Sequence, residues 1–332
     1  MLLDQIREVL LSSDRYLSGE ELGKRFGVTR AAVSLAVQKL REEGYVIEAR
    51  HRRGYFLQKD PERLDPRRLA VLLGPEIMER VLYFSRTDST NKVLSAQAAG
   101  GAPDGTYALA DEQTAGRGRR GRNFLSPPGK GVYLSLLLRP AAEPEEVMDL
   151  TAWTAVYMRR AIRNATGLEA GIKWVNDLIL EGRKTAGILS EMALEGESRT
   201  VSSVIIGIGV NVNEEATDFP SELQETAGSL RMSAGKSFDR TALAAEMILQ
   251  FEQLRKDWPR TKDGVLYEYR RADVLEGKRI RILSGNTEEA AAARGISEDF
   301  GLIVEKEDGS RDVLRFGEVS IRGTAGYVPG QG

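Results

Sequence analysis

Apolar residues recur at helical spacing from the start of the chain: Ile6, Val9 and Leu10 mark one face of an amphipathic helix. Ser18-Gly19-Glu20-Glu21 has the form of a capping box and opens a second helix, with Leu22 and Phe26 on its buried face and Gly27 in the turn that ends it. Thr29 caps a third, on which Val33, Ala36, Val37 and Leu40 fall at core spacing, ending before Gly44. Residues 46–49 and 55–57 then read as two short strands around the basic tip Arg50-His51-Arg52-Arg53-Gly54. These are the parts of a winged helix-turn-helix over residues 1–60. Residues 61–80 follow as a linker with room for a short helix; Asp60-Pro61 and Asp65-Pro66 open a stretch rich in Pro, Arg and Leu.

Further on the period drops to two. Along residues 204–213 one strand face carries Ile206, Ile208, Val210 and Val212, and the other Gly207, Gly209, Asn211 and Asn213. A face bare of side chains suits a flat ligand or tight packing against a helix, and the pattern does not choose. Residues 173–180, a turn at Glu181-Gly182-Arg183, and residues 184–191 read as a β-hairpin with Asn176, Asp177 and Lys184 set in apolar strands. Those three form either a satisfied structural network or a place for a ligand carboxylate or phosphate. Thr87-Asp88-Ser89-Thr90-Asn91 heaps hydroxyls and amides before a helical run, 92–99, closed by Gly100-Gly101. A helix start binds polar or anionic ligands readily, whereas simple capping needs one such residue. A helix over 241–257 ends at Trp258-Pro259; short β patterns begin near Ala272, at 278–283, 301–305 and 313–316 with a turn at Asp308-Gly309, and suggest a small SH3-like barrel.

Composition narrows the chemistry. With 332 residues the chain holds two or three domains, and its net charge of −2 confines any nucleic-acid contact to a local patch. There is no cysteine and one histidine, His51, so a zinc hydrolase or a Ser-His-Asp triad lacks its parts. No apolar run is long enough to span a bilayer, and early acidic residues at the N-terminus do not fit a signal peptide; a cytoplasmic protein with no membrane partner is expected. What remains is arginine, lysine, carboxylates, backbone amides and a hydrated metal, with no set of metal-ligating side chains.

Gly116-Arg117-Gly118-Arg119-Arg120-Gly121-Arg122 packs four arginines into seven residues, in a stretch without an acid from Gln113 to Ala142. Guanidinium forks match carboxylates and phosphates, and glycines admit close approach, so the segment reads as a loop that orders around an anion or as a solvated basic turn. Its G-x-G-x-x-G spacing is no dinucleotide fingerprint, because Pro127-Pro128-Gly129 follows where a helix would have to run. A second basic zone lies in the helix-turn-helix: Leu22 to Arg41 contains no acid. The DNA-contacting set is Ser18, Lys24, Arg25, Thr29, Arg30, Ser34 and Gln38, with Arg50, Arg52 and Arg53 of the wing.

Thr87–Asn91, the Gly116–Arg122 loop, Lys173-Trp174-Val175-Asn176-Asp177, Lys184-x-Ala186-Gly187-Ile188-Leu189 and Gly207-Ile208-Gly209-Val210-Asn211 stand in the order and spacing of biotin–protein ligases. With the N-terminal winged helix, the chain resembles the bacterial bifunctional type, ligase and biotin operon repressor in one, over essentially its whole length. One departure is Val175, where the family usually has proline; valine suits a strand and changes no polar group. The loop between Asn213 and Ser229 is less recognisable.

The resemblance implies a multidomain α+β protein: winged helix-turn-helix at 1–60, linker at 61–80, a mixed α/β catalytic domain at 81–270 similar to a class II aminoacyl-tRNA synthetase core, and an SH3-like β-barrel at 271–332. It implies ATP and Mg²⁺ as cofactors, biotin as substrate, and biotinyl-5′-AMP as intermediate and corepressor. Ser89, Thr90, Asn91 and Gln113 would bond the biotin ring end. Gly116, Arg117, Gly118, Arg119, Arg120 and Arg122 would close on biotin and the adenylate, with Gly187 beside them. Lys184 would sit by the carboxylate and α-phosphate, and Asn176 and Asn211 near phosphate–metal and adenine groups. Arg119, Lys184 and Asp177 form the implied catalytic set, with Asp177 orienting or deprotonating the acceptor amine. Partners would be the biotin carboxyl carrier domain of acetyl-CoA carboxylase or a related carboxylase, operator DNA, and a second copy across the operator dyad. Two other readings stay open: a ligand-sensing repressor without catalysis, and a lipoate or octanoate ligase of the same superfamily.

Overall fold

The computed structural model describes residues 2–11, 13, 15–42, 45–59, 64–195, 200–284, 287–315 and 320–323. Gly44, Asp60, Pro61 and Phe316 lie outside them. The chain divides into two compact units, Met1–Asp65 and Pro66–Gly332.

In the first unit α1 (Leu2–Leu11), α2 (Gly19–Phe26) and α3 (Arg30–Glu42) enclose a core of Ile6, Leu22, Val33, Val37 and Leu40. Gly27, at φ 65°, ends α2 in the left-handed conformation that side chains resist. β1 (Val46–Arg50) and β2 (Gly54–Lys59) pair antiparallel, and Leu17 bridges to Tyr55 beside them. Only the serine half of the capping box forms. Ser18 Oγ accepts the Glu21 N–H at 3.0 Å, while the Glu21 carboxylate turns to Arg15 at 3.1 and 2.5 Å. A guanidinium offers two charge-assisted bonds where the backbone amide offers one neutral donor.

The second unit begins with α4 (Pro66–Leu73) and α5 (Pro75–Met78), on the stretch read as a linker. There follow β3 (Val81–Phe84), α6 (Thr90–Ala99), β4 (Thr106–Ala110), β5 (Val132–Leu138), α7 (Leu150–Thr166), β6 (Gly171–Lys173), β7 (Asp177–Leu180), β8 (Arg183–Glu195) and β9 (Thr200–Val210). The strands make one mixed sheet in the order β3-β4-β5-β9-β8-β7-β6, antiparallel except for β3 with β4. α6 packs through Leu94 on Ala108, Leu137 and Ile205. By strand alternation that is the face on which Gly207 and Gly209 lie. α8 (Leu230–Ala234), α9 (Arg240–Asp257) and α10 (Lys262–Ala272) come next, and α9 packs on α7 and α4. No described helix is long and apolar enough to cross a membrane.

The chain ends in a five-stranded antiparallel sheet, order β13-β12-β11-β10-β14, of β10 (Arg279–Ser284), β11 (Thr287–Ile296), β12 (Leu302–Lys306), β13 (Arg311–Leu314) and β14 (Ser320–Gly323). Trp174 Nε1 donates to the Phe300 carbonyl at 2.7 Å and ties this sheet's β11–β12 connection to the central domain.

Residues 173–180 do not form one strand. β6 and β7 are neighbours joined through Trp174-Val175-Asn176, where the Trp174–Val175 peptide is cis. Val175 lies in that turn, fully buried, and is not a strand residue. The turn folds Lys173 back opposite Asp177. The hairpin proper is β7–β8 around Glu181 and Gly182, both at positive φ (48° and 75°), the geometry of a tight two-residue hairpin turn.

Candidate active site and nucleic-acid interface

Two adjoining cavities open over the glycine face of the sheet, one of about 240 Å³ and one of about 50 Å³. Gly118, Arg119, Phe124, Asn176 and Lys184 line both. They are two lobes of one site with Arg119, Phe124 and Lys184 at the waist.

The small lobe gathers Ser89, Thr90, Asn91, Gln113, Arg117, Gly187, Gly207 and Gly209. Ser89 is the N-cap of α6 without a side-chain cap bond, so its hydroxyl is not spent on the helix. Gln113 Oε1 accepts from the Thr90 amide at 2.9 Å and its hydroxyl at 3.0 Å, while Gln113 Nε2 donates to Ser126 Oγ at 3.0 Å. Ser135 Oγ, from β5, lies 2.7 Å from Thr90 Oγ1 and 2.6 Å from Asn91 Oδ1. Asn91 Nδ2 donates to Glu191 Oε2 at 2.7 Å, and Arg117 stands 3.8 Å from the same carboxylate. Each glycine gives its side-chain space to a neighbour. A Cβ on Gly207 would lie 2.1 Å from Asn91 Oδ1, and one on Gly209 2.3 Å from the Phe124 ring. The bare strand face is thus covered by one amide and one aromatic ring.

The arginine loop is a compact turn. Gly118 N–H donates to Arg122 O at 2.7 Å, Arg117 bridges antiparallel to Asn123, and Arg120 sits at φ 58° in a 3₁₀ turn, Arg119–Gly121. Gly116 lines neither lobe; a Cβ there would meet Phe124 O at 2.4 Å, so it lets the loop fold back on itself. Arg120 and Arg122 line the large lobe, Arg117 the small one, and Arg119 both. Arg119 Nη1 donates to Asn176 Oδ1 at 3.2 Å. Burial pulls the Arg119 guanidinium below its ordinary pKa, and the nearby Asp177 carboxylate pulls the other way.

Lys184 Nζ stands 2.6 Å from Asp177 Oδ1, across the β7–β8 pair. Asn211 lines the large lobe, and its Nδ2 is held by Gly228 O at 2.9 Å. Phe219, Leu223, Thr226 and Ala227, from the loop after Asn213 that the sequence left unassigned, line this lobe with Trp174 and Lys173 of the quoted motif. That loop is stitched to β8, because Lys184 N–H donates to Thr226 O and Lys184 O accepts from Gly228 N–H, both at 2.8 Å. Among the described residues no group of three or more His, Cys, Asp or Glu could hold a metal by itself.

In the first unit Thr29, Arg30, Ser34 and Gln38 are exposed along α3, and Arg50, Arg52 and Arg53 are exposed in the wing. Thr29 caps α3 by accepting the Ala32 N–H at 3.2 Å, and Ser18 is occupied as the α2 cap. Glu20, just outside the acid-free run, pairs with Lys24 at 3.0 Å and also with Arg30. Arg25 lies over the Phe26 ring at 5.8 Å. Tyr16, which the sequence did not single out, carries Arg53 at 4.5 Å and Arg50 at 5.3 Å over its ring. Its hydroxyl donates to Glu48 at 2.5 Å.

Residues 83–211 match the biotin/lipoate A/B protein ligase family, and residues 3–56 match an HTH domain family. The chain is similar to the bifunctional ligase/repressor BirA of Bacillus subtilis, 37% identical over 91% of this chain and 93% of that protein. It is 30% identical to the protein of the same name from Escherichia coli, over 94% of this chain and 95% of that one. Among solved structures, the biotin protein ligase of Aquifex aeolicus in complex with biotin and ATP superposes with a TM-score of 0.64 at 28% identity, over 74% of this chain and 99% of that one. An N-terminal helix-turn-helix joined to a ligase core with this cavity makes the chain a member of the bifunctional biotin ligase/repressor family.

Proposed function

We propose that the two lobes hold the two halves of one biotinyl-5′-AMP: biotin in the small lobe among Ser89, Thr90, Asn91 and Gln113, and the adenosine in the large lobe against Trp174 and Phe219. The observation that carries this reading is the waist. Lys184, Arg119 and Asn176 line both lobes, where the biotin carboxylate and the α-phosphate must meet. In this reading the Phe124 ring, which lies on the Gly209 face, turns off that face to seat the bicyclic ring of biotin.

Substrate supplies the nucleophile. A biotin carboxylate oxygen attacks the α-phosphorus of ATP, the bond to the bridging oxygen breaks, and pyrophosphate leaves. Lys184 and the loop arginines stabilise charge that develops on phosphate and hold the reactants together. The acceptor lysine amine then attacks the acyl carbon, AMP leaves with the bonding pair, and Asp177 takes or orients the amine proton. The Asn176 amide oxygen, which lines both lobes, is a hard donor that would meet Mg²⁺ arriving on nucleotide phosphates. When bound there, the ion supplies further positive charge to the phosphates.

The acceptor in this reading is a biotin carboxyl carrier domain, and the C-terminal sheet is an SH3-like barrel beside a class II synthetase-like core. Biotinyl-5′-AMP closing the arginine loop favours a homodimer that reads a two-fold operator, and by linkage the dimer binds the adenylate more tightly. The test is the mass of a carrier domain incubated with the full chain, ATP and biotin. One biotinyl group on one lysine, requiring both small molecules, is expected. No adduct would leave a ligand-sensing repressor, and preferential octanoyl or lipoyl transfer would move the chain to the lipoate enzymes.

A further inference from the structure

Glu214 is fully buried at the root of the loop that walls the large lobe, and among the described residues neither carboxylate oxygen has a partner at ordinary hydrogen-bond geometry. Its neighbour Glu215 is exposed and pairs with Arg231 at 2.5 Å, so the burial is particular to this position. Around Glu214 the loop base is drawn tight. Ser229 Oγ donates to Glu214 O at 2.6 Å, Leu230 N–H to Asn211 O at 3.1 Å, and Arg231 N–H to Val212 O at 2.8 Å. Asn213 clamps Phe238 through two bonds of 2.9 Å.

The charged groups facing Glu214 do not compensate it. Arg240 is the nearby cation, but its Nη2 is held by Asp111 at 2.9 Å and its Nε by Gly131 O at 2.8 Å. Tyr133 gives its hydroxyl proton to Pro127 O at 3.0 Å. Asp218 adds negative charge and is itself tied to Lys130 at 2.8 Å. The amides of Glu214 and Val212 favour the ionised form in part. An ionised carboxylate in such a place is costly, and the neutral acid is the tolerable form. Burial accordingly pushes Glu214 up to about 7, with Arg240 offsetting part of the shift.

We propose that Glu214 is a positioning residue for adenylate retention: protonated, it keeps the loop at 215–228 seated against the large lobe and Lys184, and on losing its proton it loosens that loop. The link to chemistry is direct, since Thr226 and Gly228 are bonded to the Lys184 backbone. The proposal rests on the large lobe being the nucleotide side.

Two measurements on the full chain test it, each for wild type, Glu214→Gln and Glu214→Leu. The first is hydrogen exchange of residues 215–228 without ligand, corrected for intrinsic rates. The second is the dissociation constant of biotinyl-5′-AMP, whose phosphate charge is constant over the range used. Between about pH 6 and about pH 8.5 wild type should lose loop protection and bind the adenylate about tenfold more weakly, while both variants stay flat. A flat wild-type profile, or a slope retained in whichever variant folds, overturns the proposal. Absence of adenylate binding at every pH would overturn the nucleotide reading instead, and the exchange arm would still decide the role of Glu214.

Discussion

Lys184 Nζ and Asp177 Oδ1 are 2.6 Å apart, with Asp177 the more buried of the two (13% against 29% exposed). The cation at the waist of the site is therefore held by the same carboxylate that faces the large lobe. Lys184→Ala should slow adenylate formation by about 10²–10³-fold, the scale of removing one preorganised donor from developing charge. Asp177→Asn should leave adenylate formation closer to wild type and slow transfer from preformed biotinyl-5′-AMP. Stopped single-turnover assays of the two half-reactions separate these effects. Equal loss in both halves for Asp177→Asn would assign it a structural role only.

Arg119 spans both lobes and reaches Asn176 Oδ1 at 3.2 Å. Arg119→Gly removes a charge-assisted donor worth roughly 1.5–3 kcal/mol, so biotinyl-5′-AMP should escape about 10- to 150-fold faster. Filter-binding release of labelled adenylate measures this, and indiscriminate lysine labelling of bystander proteins should accompany it.

Glu20 pairs with Lys24 and Arg30, two residues of the proposed DNA-contacting set. Exposed pairs are worth little, so Glu20→Gln should not unfold the domain. Freeing two cations should tighten binding to duplex DNA at low salt about two- to fivefold, with a steeper salt dependence. Fluorescence anisotropy across a salt series is the measurement. Deleting residues 1–65 should abolish that binding and leave the pocket residues in place.

Stability should also depend on pH through Glu214. Its pKa is raised to about 7 in the folded protein from an ordinary 4.5. The stability associated with the bound proton is full below the unfolded value and is lost as pH rises toward the folded value. The loss is on the order of 3 kcal/mol by about pH 8, since one unit is about 1.4 kcal/mol. Asp273, pushed up to about 6 by burial, acts in the same direction at lower pH. The thermal midpoint of Glu214→Gln should match wild type near pH 5 and exceed it near pH 8.

The parts of this protein that were legible in its sequence are those whose chemistry is local. Four arginines among glycines, Ser89-Thr90-Asn91 at a helix start, and the Gly207/Gly209 strand face each carry their meaning in a few consecutive residues, and the folded chain brings them to one cavity. What was missed depends on distant partners. β11 holds four consecutive alanines after two glutamates, a helical composition, yet it pairs with β10 on one side and β12 on the other, and tertiary pairing overrides propensity. Ser135 looks like any polar residue in a strand until β5 lies beside α6. Phe124 gains its role only because Gly209 leaves room for its ring. Glu214 and Glu215 are identical in sequence terms, and one is buried while the other is exposed.

In the proposed complex the two lobes hold one adenylate, with biotin on the glycine face and adenosine against Phe219. The most direct measurement is a crystal structure of the full chain with biotinyl-5′-AMP. The expected complex has the ureido ring bonded among Ser89, Thr90 and Gln113, the phosphate beside Lys184 and Arg119, and the Phe124 ring displaced from Gly209 to cover the ligand. A ligand bound in the opposite sense, or outside these two cavities, would contradict it.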